Sequence, residues 1–335
     1  MRLYELGEIG LLRRIEDIVA DIGVVPAVNP GASLIVGIGD DAAAWSVHGS
    51  NVSETLTTDT MVDNIHFSNA NMSWRDVGWR SMVSNLSDIA AMGGAPSLAL
   101  VTLGLPGSIL VEDVEDVYKG LVDACRAYEV TIAGGDLVSS PTFFISITMS
   151  GMQSGELLLR SSANVGDLVA VTGPLGLSRG GLEVLSRGEA ELDEYTQRLV
   201  EAHRHPKPRL SEGRRLLREG VRAALDVSDG LIGDLKKMML ASNLAANIIT
   251  KNVKIDPALD AIYGTSAIDL ALNGGEDYEL LFTAPHKTME RIETVLPYVN
   301  IVGEVVGGLP GIVTVKHDQG ETIYDDGFGW EHFRS

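Results

Sequence analysis

The sequence predicts a mixed α/β (α+β) protein of two domains, and three observations carry that prediction. The 335 residues exceed what one ordinary domain holds. Strand-type apolar runs alternate with amphipathic helical runs in both halves. Acids recur at one kind of place, where an apolar or β-branched run gives way, often beside glycine. The clearest case is LIVGIGDDAAAWSVHGSNVSETLTTDTMVDNIHF, residues Leu34 to Phe67, in which Asp40, Asp41 and Asp59 follow such runs.

Taken in order, residues 7–21 carry apolar positions at helical spacing (Ile9, Leu12, Ile15, Val19), and Gly23 offers a stop. A strand at Leu34–Ile38 leads into Gly39-Asp40-Asp41, and a second ends at Thr57-Thr58-Asp59. Ser73 opens a helix to about Met92, with Asp76 placed as the partner in a capping box. Ser81, Asn85, Asp88 and Met92 share one face of that helix. With one acid in an otherwise apolar helix, this stripe reads as facing a site.

Pro96–Leu105 is a strand, Val111–Tyr128 an amphipathic helix, Val130–Ala133 a short strand ending in Gly134-Gly135-Asp136, and Thr142–Gln153 another strand. The domain boundary falls here, giving 1–153 and 154–335. Beyond it the pattern predicts strands at Asp167–Thr172 and Val221–Val227, with helices at Gly176–Arg187, on either side of His203–Pro208, and at Gly230–Ala241. Ala267–Leu272 leads into Gly274-Gly275-Glu276-Asp277. Glu279–Ala284 is a strand and His286–Leu296 a helix, followed by strands at Val299–Val306 and Ile312–Val315. GGD at 134–136 and GGED at 274–277 echo each other too faintly to mark a duplication.

Composition narrows the function. A net charge of −20 argues against nucleic acid or an anionic membrane as the main partner. The single cysteine, Cys125, excludes an intrachain disulfide or a thiolate zinc cluster and reads as a small buried residue. No run approaches about 20 unbroken apolar residues, and the N-terminal stretch lacks a signal peptide's apolar core. The expectation is a cytoplasmic protein.

Walker, dinucleotide, HExxH and GxSxG patterns are all missing. What recurs instead is aspartate: Asp40, Asp41, Asp59, Asp88 in NLSDIAAMGG, Asp136 in AGGD, and Asp226 and Asp229 in LDVSDG. A lone Asp after a strand is ordinarily a turn or cap residue. Five repetitions of the pattern point to carboxylates gathered around hard divalent cations, with Mg²⁺ in place of a lysine against polyphosphate.

GIGDDAA, TTDTMVDNIHF, NLSDIAAMGG, AGGD, LDVSDGL and GGEDYELLF, in that order and with a terminal GWEHF, resemble the thiamine-monophosphate kinase family of the aminoimidazole ribonucleotide synthetase-like ATP enzymes. The resemblance runs from Gly37 to Phe333. It implies an N-terminal domain whose sheet pairs with its twin in a homodimer barrel, and a C-terminal α/β domain packed against it. It implies ATP-dependent phosphorylation of thiamine monophosphate to thiamine diphosphate. By motif, Asp41, Thr57, Thr58, Asp59, Asp88, Asp136, Asp226 and Asp229 are expected to hold several Mg²⁺ ions. Tyr118, Gly135, Asp136, Arg160 and Ser228 are expected to meet ATP, and His66, Glu276 and Trp330 the thiamine substrate. No general base is expected, because the acceptor is an ionised phosphate. Alternatives are a sister enzyme such as aminoimidazole ribonucleotide synthetase, or a non-catalytic Mg²⁺ or nucleotide binder. The absence of Cys before Cys125, and the HFRS ending, separate the chain from selenophosphate synthetase and from the hydrogenase-maturation relative.

Overall fold

The computed structural model describes residues 3–21, 32–47, 49–188, 193–317 and 320–324. Six strands form the first sheet: β1 (Ala32–Val36), β2 (Ala43–Val47), β3 (Val52–Val62), β4 (Ala95–Leu105), β5 (Thr131–Ser139) and β6 (Phe144–Ser154). Their order is β1-β2-β3-β6-β4-β5, an open sheet. All neighbours are antiparallel except β4 and β5, which run parallel because helix α3 (Val111–Tyr128) carries the chain back between them. Helix α1 (Leu3–Asp21), broken at Gly7, precedes the sheet.

Helix α2 (Trp74–Ala91) is the hinge of the architecture. Ser73 and Asp76 form the expected capping box, with Asp76 N–H donating to Ser73 Oγ at 3.2 Å and Ser73 N–H to Asp76 Oδ2 at 3.0 Å. Almost every residue of α2 is buried, because it packs on β3 and β6 on one side and on β8 (Ala223–Asp226) and α6 (Leu210–Glu219) on the other. One continuous apolar core therefore runs from Val101, Ile147 and Leu86 to Ala224, Phe282 and Met289.

The second sheet has the order β13-β12-β9-β11-β7-β10-β8. It comprises β7 (Leu168–Val171), β8, β9 (Ala245–Ile249), β10 (Leu280–Ala284), β11 (Asn300–Val306), β12 (Val313–His317) and β13 (Gly320–Tyr324). Helices α4 (Leu177–Ser186), α5 (Glu194–Arg204), α6, α7 (Leu231–Ala241), α8 (Pro257–Tyr263), α9 (Ala267–Asn273) and α10 (His286–Val295) complete this half. The whole is a two-domain mixed α/β fold. Among the described residues, no helix is long and apolar enough to cross a membrane.

Strands β3 and β5 run well past their expected ends. β3 does not end at Asp59: Thr60, Met61 and Val62 keep pairing with β6 as far as Val62 opposite Phe144, so Asp59 sits inside a strand. β5 likewise passes through Gly134, Gly135 and Asp136, absorbing the glycines in a bulge where its register against β4 shifts. GGD therefore lies on a strand while GGED forms a loop, which removes their faint equivalence. Strands β2, β9 and β13 and helix α8 were not anticipated. β2 and β9 open on paired alanines, which carry little strand signal, and β13 is a short, largely exposed edge.

Candidate active site

Alternation along β3 decides which of its polar residues serve the site. Ser53, Thr55, Thr57 and Met61 point inward, and Asp59 shares their face, towards α2. Thr57 Oγ1 donates to Asp88 Oδ2 at 2.5 Å. Asp88 comes from α2, Asp226 is the last residue of β8, and Asp41 follows the turn after β1. Carboxylate oxygens of Asp41, Asp88 and Asp226 lie within 4.8 Å of one another. Four distant segments thus converge because α2 is wedged between the two sheets.

Arg160 closes this cluster. Its Nη2 donates to Asp41 Oδ1 at 2.5 Å, and its backbone N–H donates to Asp40 Oδ2 at 3.2 Å. Ser87 Oγ donates to Asp226 Oδ2 at 2.7 Å. Burial, followed by the neighbouring carboxylates, pushes Asp88 and Asp226 well above the usual carboxylate range and raises Asp59 as well. Burial and Asp41 push Asp40 up to about 6. Carboxylates gathered here are uncomfortable as a purely protein arrangement. The donor set is all oxygen and its charge is negative, which fits hard divalent cations such as Mg²⁺.

The cluster opens into a cavity of about 990 Å³. Asp59, Asp88, Asp226 and Asp229 line it together with His66, Ser178, His203 and Glu276. His66 Nδ1 accepts the N–H of Val62 at 3.1 Å, which fixes the ring at the end of β3. The loop carrying Glu276 is conformationally strained: Glu276 (φ 63°) and Tyr278 (φ 52°) both occupy the left-handed region. Between them Asp277 accepts the N–H groups of Gly176 (2.6 Å) and Ser178 (3.0 Å) and so caps the start of α4. Burial pushes Asp277 up to about 7.

The structure gathers Asp41, Thr57, Asp59, Asp88, Arg160, Asp226, Asp229, Ser228, His66 and Glu276 in and around this cavity. It sets other expected residues apart. The Thr58 hydroxyl lies on the exposed face of the sheet, where it accepts from Thr148 Oγ1 at 3.3 Å. Gly135 is in register with Asp59 across β6 and β4, three strand spacings or about 14 Å away. Asp136, on exposed edge strand β5, accepts the N–H of Leu137. Tyr118 lines a separate apolar hollow with Leu105, Ile109 and Val114. Trp330 lies outside the described residues. Asp234 Oδ2 accepts the N–H groups of Ser228 (3.0 Å) and Asp229 (2.9 Å), and Ser228 lines the cavity.

Sequence reasoning missed Arg80, Ser84, Ser87, His203, Asp234 and Lys237. Lys237 Nζ sits 2.5 Å from Asp229 Oδ2 and 2.8 Å from Asp234 Oδ1, so a lysine does stand beside the acids, two helical turns into α7. Ser84 and Ser87 flank the predicted polar stripe of α2. Arg80 carries no local signal, since its partners are more than a hundred residues away in sequence.

The chain matches two family models, the AIR synthase related protein N-terminal domain over residues 39–153 and the corresponding C-terminal domain over residues 164–316. It is 34% identical to the thiamine-monophosphate kinase of Bacillus subtilis over 93% of this chain and 97% of the relative. It is 32% identical to that of Aquifex aeolicus over 99% of this chain and all of the relative. Among solved structures, AaThiL complexed with AMPPCP and TMP superimposes with a TM-score of 0.85 at 32% identity, covering 99% of both chains. The hydrogenase maturation protein HypE in complex with ATP, at 18% identity and a TM-score of 0.67, shares the fold.

Proposed function

The chain belongs to the thiamine-monophosphate kinases of the AIR synthase related family, and on that premise we propose how it works: it transfers the γ-phosphoryl group of ATP in line to the phosphate of thiamine monophosphate, giving thiamine diphosphate and ADP. The observation that carries this reading is the convergence of Asp41, Asp88 and Asp226 with Arg160 beside one large cavity, which Asp88 and Asp226 also line. Asp41, Asp59, Asp88, Asp226 and Asp229, with Thr57, would hold Mg²⁺. Bound there, the ions would supply positive charge against the polyphosphate and against the charge that builds up during transfer.

The acceptor oxygen is already ionised, so the protein needs no proton acceptor. Its task is to align two mutually repelling polyanions. Arg160 offers a planar fork to a phosphate once Asp41 turns to a cation. The Ser228 hydroxyl supplies a neutral donor on the same wall. In the same cavity, His66 would meet the substrate phosphate and Glu276 the cationic thiazolium. Tyr118, Gly135 and Asp136 stay within the proposal as residues that reach the site only in the complete assembly, and Trp330 stays within it as a residue that meets the thiamine substrate.

That assembly is a homodimer in this reading. Leu56, Leu98, Leu100, Leu137 and Met152 are exposed strand residues of the first sheet, an apolar set of the kind that marks an interface. A second copy laid against the sheet would join the two open sheets into a barrel. The domain division after Gln153 also belongs to this reading.

The test is direct. Purified protein with ATP, Mg²⁺ and thiamine monophosphate is expected to yield thiamine diphosphate by chromatography, and chelation is expected to stop it. ATP binding without product would point instead to an acceptor used by a sister enzyme.

A further inference from the structure

Arg80 is among the largest fully buried side chains of the described protein and sits on α2, in the N-terminal half. It spends its charge on the C-terminal half. Nη2 lies 2.5 Å from Glu276 Oε2, while Nη1 donates to the backbone carbonyl of His203. His203 Nδ1 lies 3.3 Å from Nη1 and 3.1 Å from Ser178 Oγ, at the start of α4. Burial and the adjacent guanidinium push the His203 ring down to about 2, so it is neutral and can accept at Nδ1. The guanidinium is thus held from the α5 side through Nη1 and presents Nη2 to Glu276.

Glu276 is in a different situation. Its side chain is 33% exposed, it lines the cavity, and its backbone is in the left-handed region. A flexible carboxylate on a strained loop would sample several rotamers. Contact with a fully buried arginine selects one of them.

We propose that Arg80 is the positioning residue for Glu276: it fixes the carboxylate towards the cationic ring of the acceptor and so sets affinity for thiamine monophosphate without touching ATP. This rests on the reading of Glu276 as the carboxylate that meets the thiazolium. The pair also shapes specificity. Because Arg80 already offsets the charge of Glu276, discrimination depends on the placement of the carboxylate more than on bulk attraction of any cation.

The experiment compares steady-state kinetics of wild type, Arg80→Lys, Glu276→Gln and the double variant, varying thiamine monophosphate and ATP separately. Arg80→Lys is expected to raise KM for thiamine monophosphate about tenfold while KM for ATP stays within about twofold. In the Glu276→Gln background the same substitution is expected to add little, because the residue it acts through is already lost. Equal rises in both KM values, or a full Arg80→Lys effect in the Glu276→Gln background, would overturn the proposal. If Arg80→Lys does not fold, Glu276→Asp decides: it keeps the charge but withdraws it from the guanidinium by about one bond length. Wild-type KM in that variant overturns the positioning role, and a tenfold rise confined to thiamine monophosphate supports it. Wild type is measured first: no thiamine diphosphate there sinks the parent reading together with this one, whereas wild-type turnover with unaffected variants sinks this one alone.

Discussion

Arg160 and Asp41 meet at 2.5 Å although 119 residues separate them in the chain. The contact ties the turn after β1 to the segment that follows β6, and it does so at the edge of the acidic cluster. Asp41 is almost wholly buried and Arg160 largely so. A pair desolvated to this degree costs more when one partner is removed than its net contribution as a pair, because the remaining charge stays buried.

Arg160→Met is therefore expected to lower stability by about 3 kcal/mol at neutral pH without metal. It is expected to lower kcat/KM for ATP by roughly a hundredfold. Because Mg²⁺ would compensate the orphaned Asp41, the stability loss is expected to shrink when Mg²⁺ is added. Thermal melts with and without Mg²⁺ check this, and a loss that Mg²⁺ leaves unchanged contradicts the placement of Asp41 beside the metal.

Asp226→Asn separates stability from function. Asp226 is buried among Asp41, Asp88 and Asp234, and its ionised form is disfavoured there. Asn keeps an oxygen to accept from Ser87 and removes the repulsion. The metal-free variant is expected to melt above the metal-free wild type, while turnover falls by about a thousandfold and Mg²⁺ no longer raises its melting temperature. A variant that still gains stability from Mg²⁺ would place the ion elsewhere.

The sequence made the acids legible but not their grouping. Asp41, Asp59, Asp88, Asp226 and Asp229 stood out because each interrupts an apolar context, and a chain tends to carry such interruptions only where they serve something. Which of them share a wall depends on strand face and register. Thr57 and Thr58 look alike in sequence, yet alternation sends one hydroxyl to Asp88 and the other to the open face of the sheet. Asp59 and Asp136 both follow residues that read as strand ends, but both lie inside longer strands and three spacings separate their neighbourhoods. Arg80 and His203 were invisible for another reason: a buried arginine in a helix resembles a surface arginine until its partners from α5 and the 274–279 loop are in place.

Gly135 serves the backbone whatever it does for nucleotide. A Cβ at this position would sit 1.8 Å from the carbonyl oxygen of Val101, on the neighbouring strand β4. Neither strand can yield without losing ladder hydrogen bonds at the sheet edge. Gly135→Ala is expected to destabilise the protein by about 1–3 kcal/mol and to loosen β5 specifically. Hydrogen exchange would read this as lost protection at 131–139 with α2 protection retained. Uniform loss across both elements would instead show a global effect.

The Asp76–His205 pair predicts a pH signature remote from the acidic cluster. His205 Nε2 lies 2.9 Å from Asp76 Oδ1, joining the start of α2 to the turn after α5. The hydrogen bond to Asp76 raises His205 above 6.5. Burial works against ionisation of Asp76, but the bonds from His205 and Ser73 outweigh it and hold Asp76 below 3.8. The raised histidine contributes stability that is complete below pH 6.5 and disappears as pH rises through its folded value. The lowered aspartate contributes stability present above pH 3.8 and lost as pH falls through its folded value. The pair is therefore at full strength between about pH 4 and 6.5. His205 is 36% exposed, which limits its contribution to about 0.5–1 kcal/mol. His205→Gln is expected to melt ~1–3 °C below wild type at pH 5.5, with the gap closing by pH 9 as the wild-type imidazolium loses its proton. A gap that is constant from pH 5.5 to 9 would mean that His205 acts through packing against Trp79, whose ring centroid lies 5.8 Å away, and not through its charge.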